Sequence, residues 1–107
     1  MDPIRYAVAA CQTDMKRPVD RGQMRGNTDR MLTLVDSAVG GSRPFLPVKL
    51  VVFPEFAHSA PVFATVKELL HHLAVPIPNE HTDRLIQKAR EHDIYIQSGS
   101  MLEEDVN

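Results

Sequence analysis

Residues 48–56 read VKLVVFPEF, an apolar run that ends on a carboxylate. Leu50, Val51, Val52 and Phe53 are aliphatic, β-branched or aromatic, which suits a strand buried on both faces. Pro54 lacks a backbone donor and has a fixed φ, so it fits the end of a strand better than its middle. Glu55 follows at once. The carboxyl ends of strands are where open α/β sheets form their ligand crevices. Partial burial there would raise the pKa of a carboxyl group and make it a better general base near neutral pH. Glu55 is therefore the candidate catalytic residue, set against the plainer reading of a solvated turn residue.

The flanking sequence alternates strand and helix signals. Residues 6–11 (YAVAAC) form a short apolar run with small side chains, read as a first strand that Gln12, Thr13 and Asp14 leave. Residues 15–26 carry charges, Pro18, Gly22 and Gly26 and read as an exposed loop. Asn27 then has the chemistry of an N-cap, with Met31, Leu34, Val35 and Ala38 on one helical face and Gly40-Gly41 as the stop. Residues 56–65 (FAHSAPVFAT) make a loop at the carboxyl end of the central strand. Such loops supply pocket-lining groups, and Phe56 and His58 are the candidate substrate-binding residues. A short helix is expected over 65–73, extended chain over 74–78, and a helix from Asn79 or Thr82 to about His92. Asp93 stands where a left-handed residue would end that helix. Residues 94–101 read as a third strand, with Gly99 marking a bulge or a close backbone approach. Strand, helix, strand, short helix, helix, strand is the order of an α/β sheet with right-handed crossovers.

Composition narrows the function classes. The chain has 107 residues, enough for one small domain or part of a larger one. A net charge of −2 offers no electrostatic footprint for nucleic acid or an acidic membrane surface. Trp is absent and aromatics are sparse, so base-stacking platforms are not expected. No apolar run approaches the length of a membrane span. The N-terminus lacks the basic region of a signal peptide. The single cysteine, Cys11, fits a reducing compartment, and a cytoplasmic protein is expected. The five histidines show no metal-ligand spacing: His71 and His72 point apart on a helix, and His81 and His92 are too distant to share a site. Neither a metal nor another cofactor is expected. Glu103 and Glu104 read as a solvated acidic end of the chain.

Taken together, YAVAACQTD, the helix from Asn27, VKLVVFPEF and residues 74–104 (AVPIPNEHTDRLIQKAREHDIYIQSGSMLEE) resemble the N-terminal part of the nitrilase superfamily, the carbon–nitrogen hydrolases. The order and spacing of the four segments carry the resemblance across nearly the whole chain, read as one part-domain over 1–107. It implies a four-layer α-β-β-α sandwich and a Glu, Lys, Cys triad in that chain order, with Glu55 as the first member. It also implies a small amide or nitrile substrate and a homo-oligomeric full-length protein. The family's Lys and Cys would lie beyond Asn107. Cys11 precedes Glu55 and reads as a small buried hydrophobe. Lys16, Lys49, Lys67 and Lys88 do not match the catalytic position. The chain therefore looks like the first part of a hydrolase, with the base and without the nucleophile. A non-catalytic truncated relative acting as a binding or regulatory module is the alternative. An unrelated flavodoxin-like domain would need a cofactor loop after the first strand, and MKRPVDRG does not resemble one.

Overall fold

The computed structural model describes residues 3–12, 14–61 and 63–104; Thr13 and the last three acidic-end residues, 105–107, lie outside them. The elements are β1 (Ala7–Ala10), α1 (Met24–Ser42), β2 (Val48–Val52), α2 (Val66–Leu73), α3 (Glu80–His92) and β3 (Tyr95–Gln97), with a 3₁₀ turn over Arg21–Gln23 leading into α1. The strands form one parallel sheet in the order β1-β2-β3. This is the α/β arrangement expected from the alternation of apolar periods.

Strand order and crossover hand together fix the layers. Two crossovers that step in the same direction, both right-handed, place their helices on the same face of the sheet. Met31 and Val35 of α1 and Leu85 of α3 meet Val48, Val51, Phe53 and Ile94 in a single buried cluster. Ala7, Ala9 and Ile96 pack against it from the two flanking strands. A second, smaller cluster joins Met24, Leu73 and Val75, with Leu69, Met101 and Leu102 at its border.

Only one face of the sheet is covered by the described residues. In register, Ala9, Val51 and Ile96 form an inward row, while Val8, Leu50 and Tyr95 form the next row on the opposite face. Val8 is 54% exposed and Tyr95 79%. The register shifts between Ala7 and Val8, because Ala7 pairs with Val48 and Val8 with Leu50. Lys49 is thus the extra residue of a bulge, and its side chain is exposed. The expectation of a strand buried on both faces is corrected here. Apolar composition marks the outward residues as suited to burial, but the described residues supply no layer over them.

Three local expectations also change. Asn27 is not an N-cap: α1 begins three residues earlier, and Asn27 lies fully buried within it. The acceptor that opens this helical segment is Asp20, whose side chain takes the Gln23 N–H at 3.0 Å. Residues 15–26 are therefore not wholly an exposed loop, and Pro18 and Met24 are buried. Gly40 and Gly41 do not stop α1, which runs through them to Ser42 on an exposed last turn. The third strand is shorter than expected, since only Tyr95–Gln97 pair with β2. Beyond it, Val75 bridges Glu103, closing the C-terminal stretch onto the segment before α3.

The remaining elements form where their capping chemistry places them. Thr65 caps α2, accepting the Glu68 N–H at 3.2 Å. Asn79 and Thr82 make a reciprocal capping box at the start of α3. Asp93 closes that helix at φ 53°, the left-handed conformation expected of it. No helix among the described residues is long and apolar enough to cross a membrane.

Candidate functional site

The carboxyl end of β2 is held from both sides. Cys11 N–H donates to the Val52 carbonyl at 2.8 Å, and Phe53 N–H donates to the Gln97 carbonyl at 2.9 Å. Pro54 offers no donor to continue the ladder, so the chain leaves the sheet there. It turns over residues 55–59, with Phe56 at φ 55° and the Ala60 N–H donating to the Phe56 carbonyl at 2.7 Å. Glu55 is thus the first residue of a tight turn at the end of the central strand, and its side chain is exposed. The partial burial expected of it is not observed.

Gly99 makes room for this turn. It has φ +82°, and a Cβ there would run into the Pro54 carbonyl group, with the Glu55 Cα next to it at ordinary contact distance. The close backbone approach read from the sequence is therefore present, and it faces the candidate catalytic residue.

Two loops wall a surface cleft of about 450 Å³. Met15 and Arg17 come from the loop after β1; Pro54, Glu55, Phe56 and Pro61 come from the loop after β2. A single buried side chain ties these walls together. The Asn27 amide nitrogen donates to the Lys16 and His58 carbonyls, each at 2.8 Å. Its oxygen accepts the Lys16 N–H at 3.0 Å. An amide is suited to this place because it carries two donors and an acceptor in one plane.

Of the sequence candidates, Glu55 and Phe56 share the cleft and His58 does not. His58 is 0% exposed and packs beneath the loop, its ring 5.6 Å from that of His81. Neither ring nitrogen of His58, nor the Ser59 hydroxyl, has a hydrogen-bond partner among the described residues. Burial pushes the His58 pKa down to about 4, with the nearby His81 charge acting in the same direction. His81 is also lowered, chiefly by burial, and its Nδ1 lies 2.7 Å from the Thr28 hydroxyl. Both shifts favour the neutral form of the ring.

Cys11 lies just past β1 rather than within it, half-buried against the main core. Burial raises its thiol pKa, which disfavours the thiolate. The carboxylates of Asp36 and Glu91 and the ring of His92 come together on the surface of α1 and α3, a grouping that sequence spacing did not suggest. The Lys88 ammonium lies 3.1 Å from Asp36 and 2.9 Å from Glu91, so these charges already form an ion-pair network. His92 Nε2 is 2.7 Å from Asp36 Oδ1.

Sequence reading missed Arg17 and Asn27. Arg17 sits in a stretch whose proline and two glycines give no period to read. Asn27 precedes Thr28 and Asp29, a local pattern that suits a cap as well as a buried clamp. A scan against protein-family models and a search of curated proteins each returned no match to this chain.

Proposed function

We propose that this chain is the N-terminal portion of a carbon–nitrogen hydrolase of the nitrilase type, with Glu55 as the general base toward a small amide or nitrile. The observation that carries this reading is the position of Glu55. It is an exposed carboxylate at the carboxyl end of the central strand of a parallel sheet, on the wall of a cleft. That is where open α/β sheets bind ligands. A carboxylate so placed can take the proton of an attacking thiol and return it to a leaving amine.

Two further features support it. The uncovered apolar face of the sheet suits the second sheet of a four-layer α-β-β-α sandwich. The raised thiol pKa of Cys11 suits a nucleophile supplied by a different cysteine, with a lysine to stabilise the charged tetrahedral intermediate. The test is Glu55→Gln in a protein that carries those two groups. Acylation of the catalytic thiol should be lost with the fold intact; near-normal turnover would remove Glu55 from the mechanism.

The second reading, a non-catalytic relative that binds or regulates another chain, is favoured by the same uncovered face. It predicts a stable complex through Val8, Leu50 and Tyr95, together with no acyl-enzyme in any preparation of the protein.

A further inference from the structure

We propose that Asn27 is a positioning residue for Glu55: its buried amide fixes the turn that carries the base against the opposite wall of the cleft. This rests on the reading of Glu55 given above and adds the part of the fold that aims it.

A general base works only within hydrogen-bond reach of the proton it takes. The Glu55 side chain is exposed and makes no ion pair with a described residue. Its aim is therefore set by the backbone beneath it, and that backbone is pinned at two ends. At the near end, the Phe53 N–H is bonded to the Gln97 carbonyl and Gly99 backs the Pro54 carbonyl. At the far end, the Asn27 amide nitrogen donates to the His58 carbonyl at 2.8 Å. Between them Phe56 stands at φ 55°. A bulky residue occupies that left-handed conformation only where its surroundings hold it there. Releasing the far end lets Phe56 relax to the right-handed region and swings Glu55 with it.

The same amide indexes this turn to the other wall. It bonds both backbone groups of Lys16, which lies between the cleft residues Met15 and Arg17. The residue type agrees with this role. Asparagine is a poorer helix former than leucine or alanine, yet it sits inside α1 and is 1% exposed. Burial of an amide is costly unless its donors and acceptor are bonded, and here both donors and the acceptor are.

The experiment compares the chain with Asn27→Ala and Asn27→Ser by NMR. In the wild type, ¹⁵N order parameters of Lys16 and residues 55–59 should match those of β2, at about 0.85. In Asn27→Ala both segments should fall together below about 0.6 while β2 keeps its value. The Phe56 ¹³Cα and ¹³Cβ shifts should move away from their left-handed values. Asn27→Ser, whose hydroxyl keeps one donor, should lie between, and it carries the test if the alanine variant does not fold. In a protein that holds the catalytic thiol and lysine, kcat for butyramide per folded molecule should fall about a hundredfold in Asn27→Ala, the scale of a misplacement of about 1 Å. KM should stay within about twofold, because ground-state binding is not what the clamp sets. Unchanged order parameters, an unaltered kcat per folded molecule, or loss of the whole fold in both variants overturns the proposal, since a structural role alone then accounts for Asn27. Failure of the underlying reading looks different. If Asn27→Ala loosens both segments while Glu55→Gln leaves turnover untouched, the clamp stands and the hydrolase assignment falls. If Glu55→Gln stops turnover while Asn27→Ala keeps kcat, the reverse holds.

Discussion

Lowering the pH should weaken this fold through His58, in a window set by that one ring. In the folded chain its pKa is about 4, because burial disfavours the imidazolium and neither ring nitrogen has a hydrogen-bond partner among the described residues. In the unfolded chain it returns to about 6.5. The folded state therefore binds fewer protons between these values. The stability associated with neutral His58 is fully present above pH 6.5 and is lost as the pH falls toward 4. Between pH 7 and pH 5 the loss amounts to about 2 kcal/mol, from 1.36 kcal/mol per pKa unit. His81 acts in the same direction, so some slope remains without His58. The lowered carboxyl pKa values of Asp36 and Glu80 act below this window. The assay is urea unfolding of the wild type and His58→Leu at both pH values, with the m-value checked for constancy. Leu is close to His in volume and cannot titrate, so the variant should lose about 2 kcal/mol less than the wild type between pH 7 and pH 5. Equal losses in the two proteins would refute the claim that His58 is buried and neutral.

Other consequences follow from the same packing. Asn27→Ala leaves three backbone groups without their side-chain partner and should cost about 3 kcal/mol in a urea melt; a cost below about 1 kcal/mol would mean that the two loops are held by other contacts. Gly99→Ala should cost at least about 1–2 kcal/mol from the left-handed backbone alone. It should also shift the amide resonances of residues 54–56, whereas an unperturbed spectrum would show that the approach to Pro54 is looser than described. The open sheet face should drive association of the isolated chain. Light scattering should give a mass above the 12.0 kDa of one chain, and Tyr95→Lys should lower it. A monodisperse, cooperatively melting wild-type monomer would contradict this.

The sequence made some features of the fold legible because local chemistry alone decides them. Asn79, Thr82 and Asp93 bound α3 through caps whose partners lie within four residues. Gly99 was legible because a glycine inside a strand pattern marks either a bulge or a backbone that comes near. The position of Glu55 at the end of β2 was legible because Pro54 ends the ladder. His58 was not legible as a buried ring, since a histidine in a loop carries no period, and its neighbours His81 of α3 and Asn27 of α1 are distant in sequence. Asn27 was misread for a similar reason: its partners, Lys16 and His58, are 11 and 31 residues away. One-sided burial of the sheet could not be read from VKLVVF either. Apolar residues on both faces of a strand state what each face requires, not which part of a protein provides it.

The central claim is that Glu55 serves as the base for a thiol that attacks a carbon–nitrogen bond. The most direct measurement is the intact mass of the protein from its native source, quenched during incubation with a small aliphatic amide and compared with the Glu55→Gln protein. The account predicts a mass above 12.0 kDa and an acyl adduct on a cysteine other than Cys11, absent from Glu55→Gln. An adduct that forms equally in Glu55→Gln, or a 12.0 kDa protein that never acquires one, would contradict it.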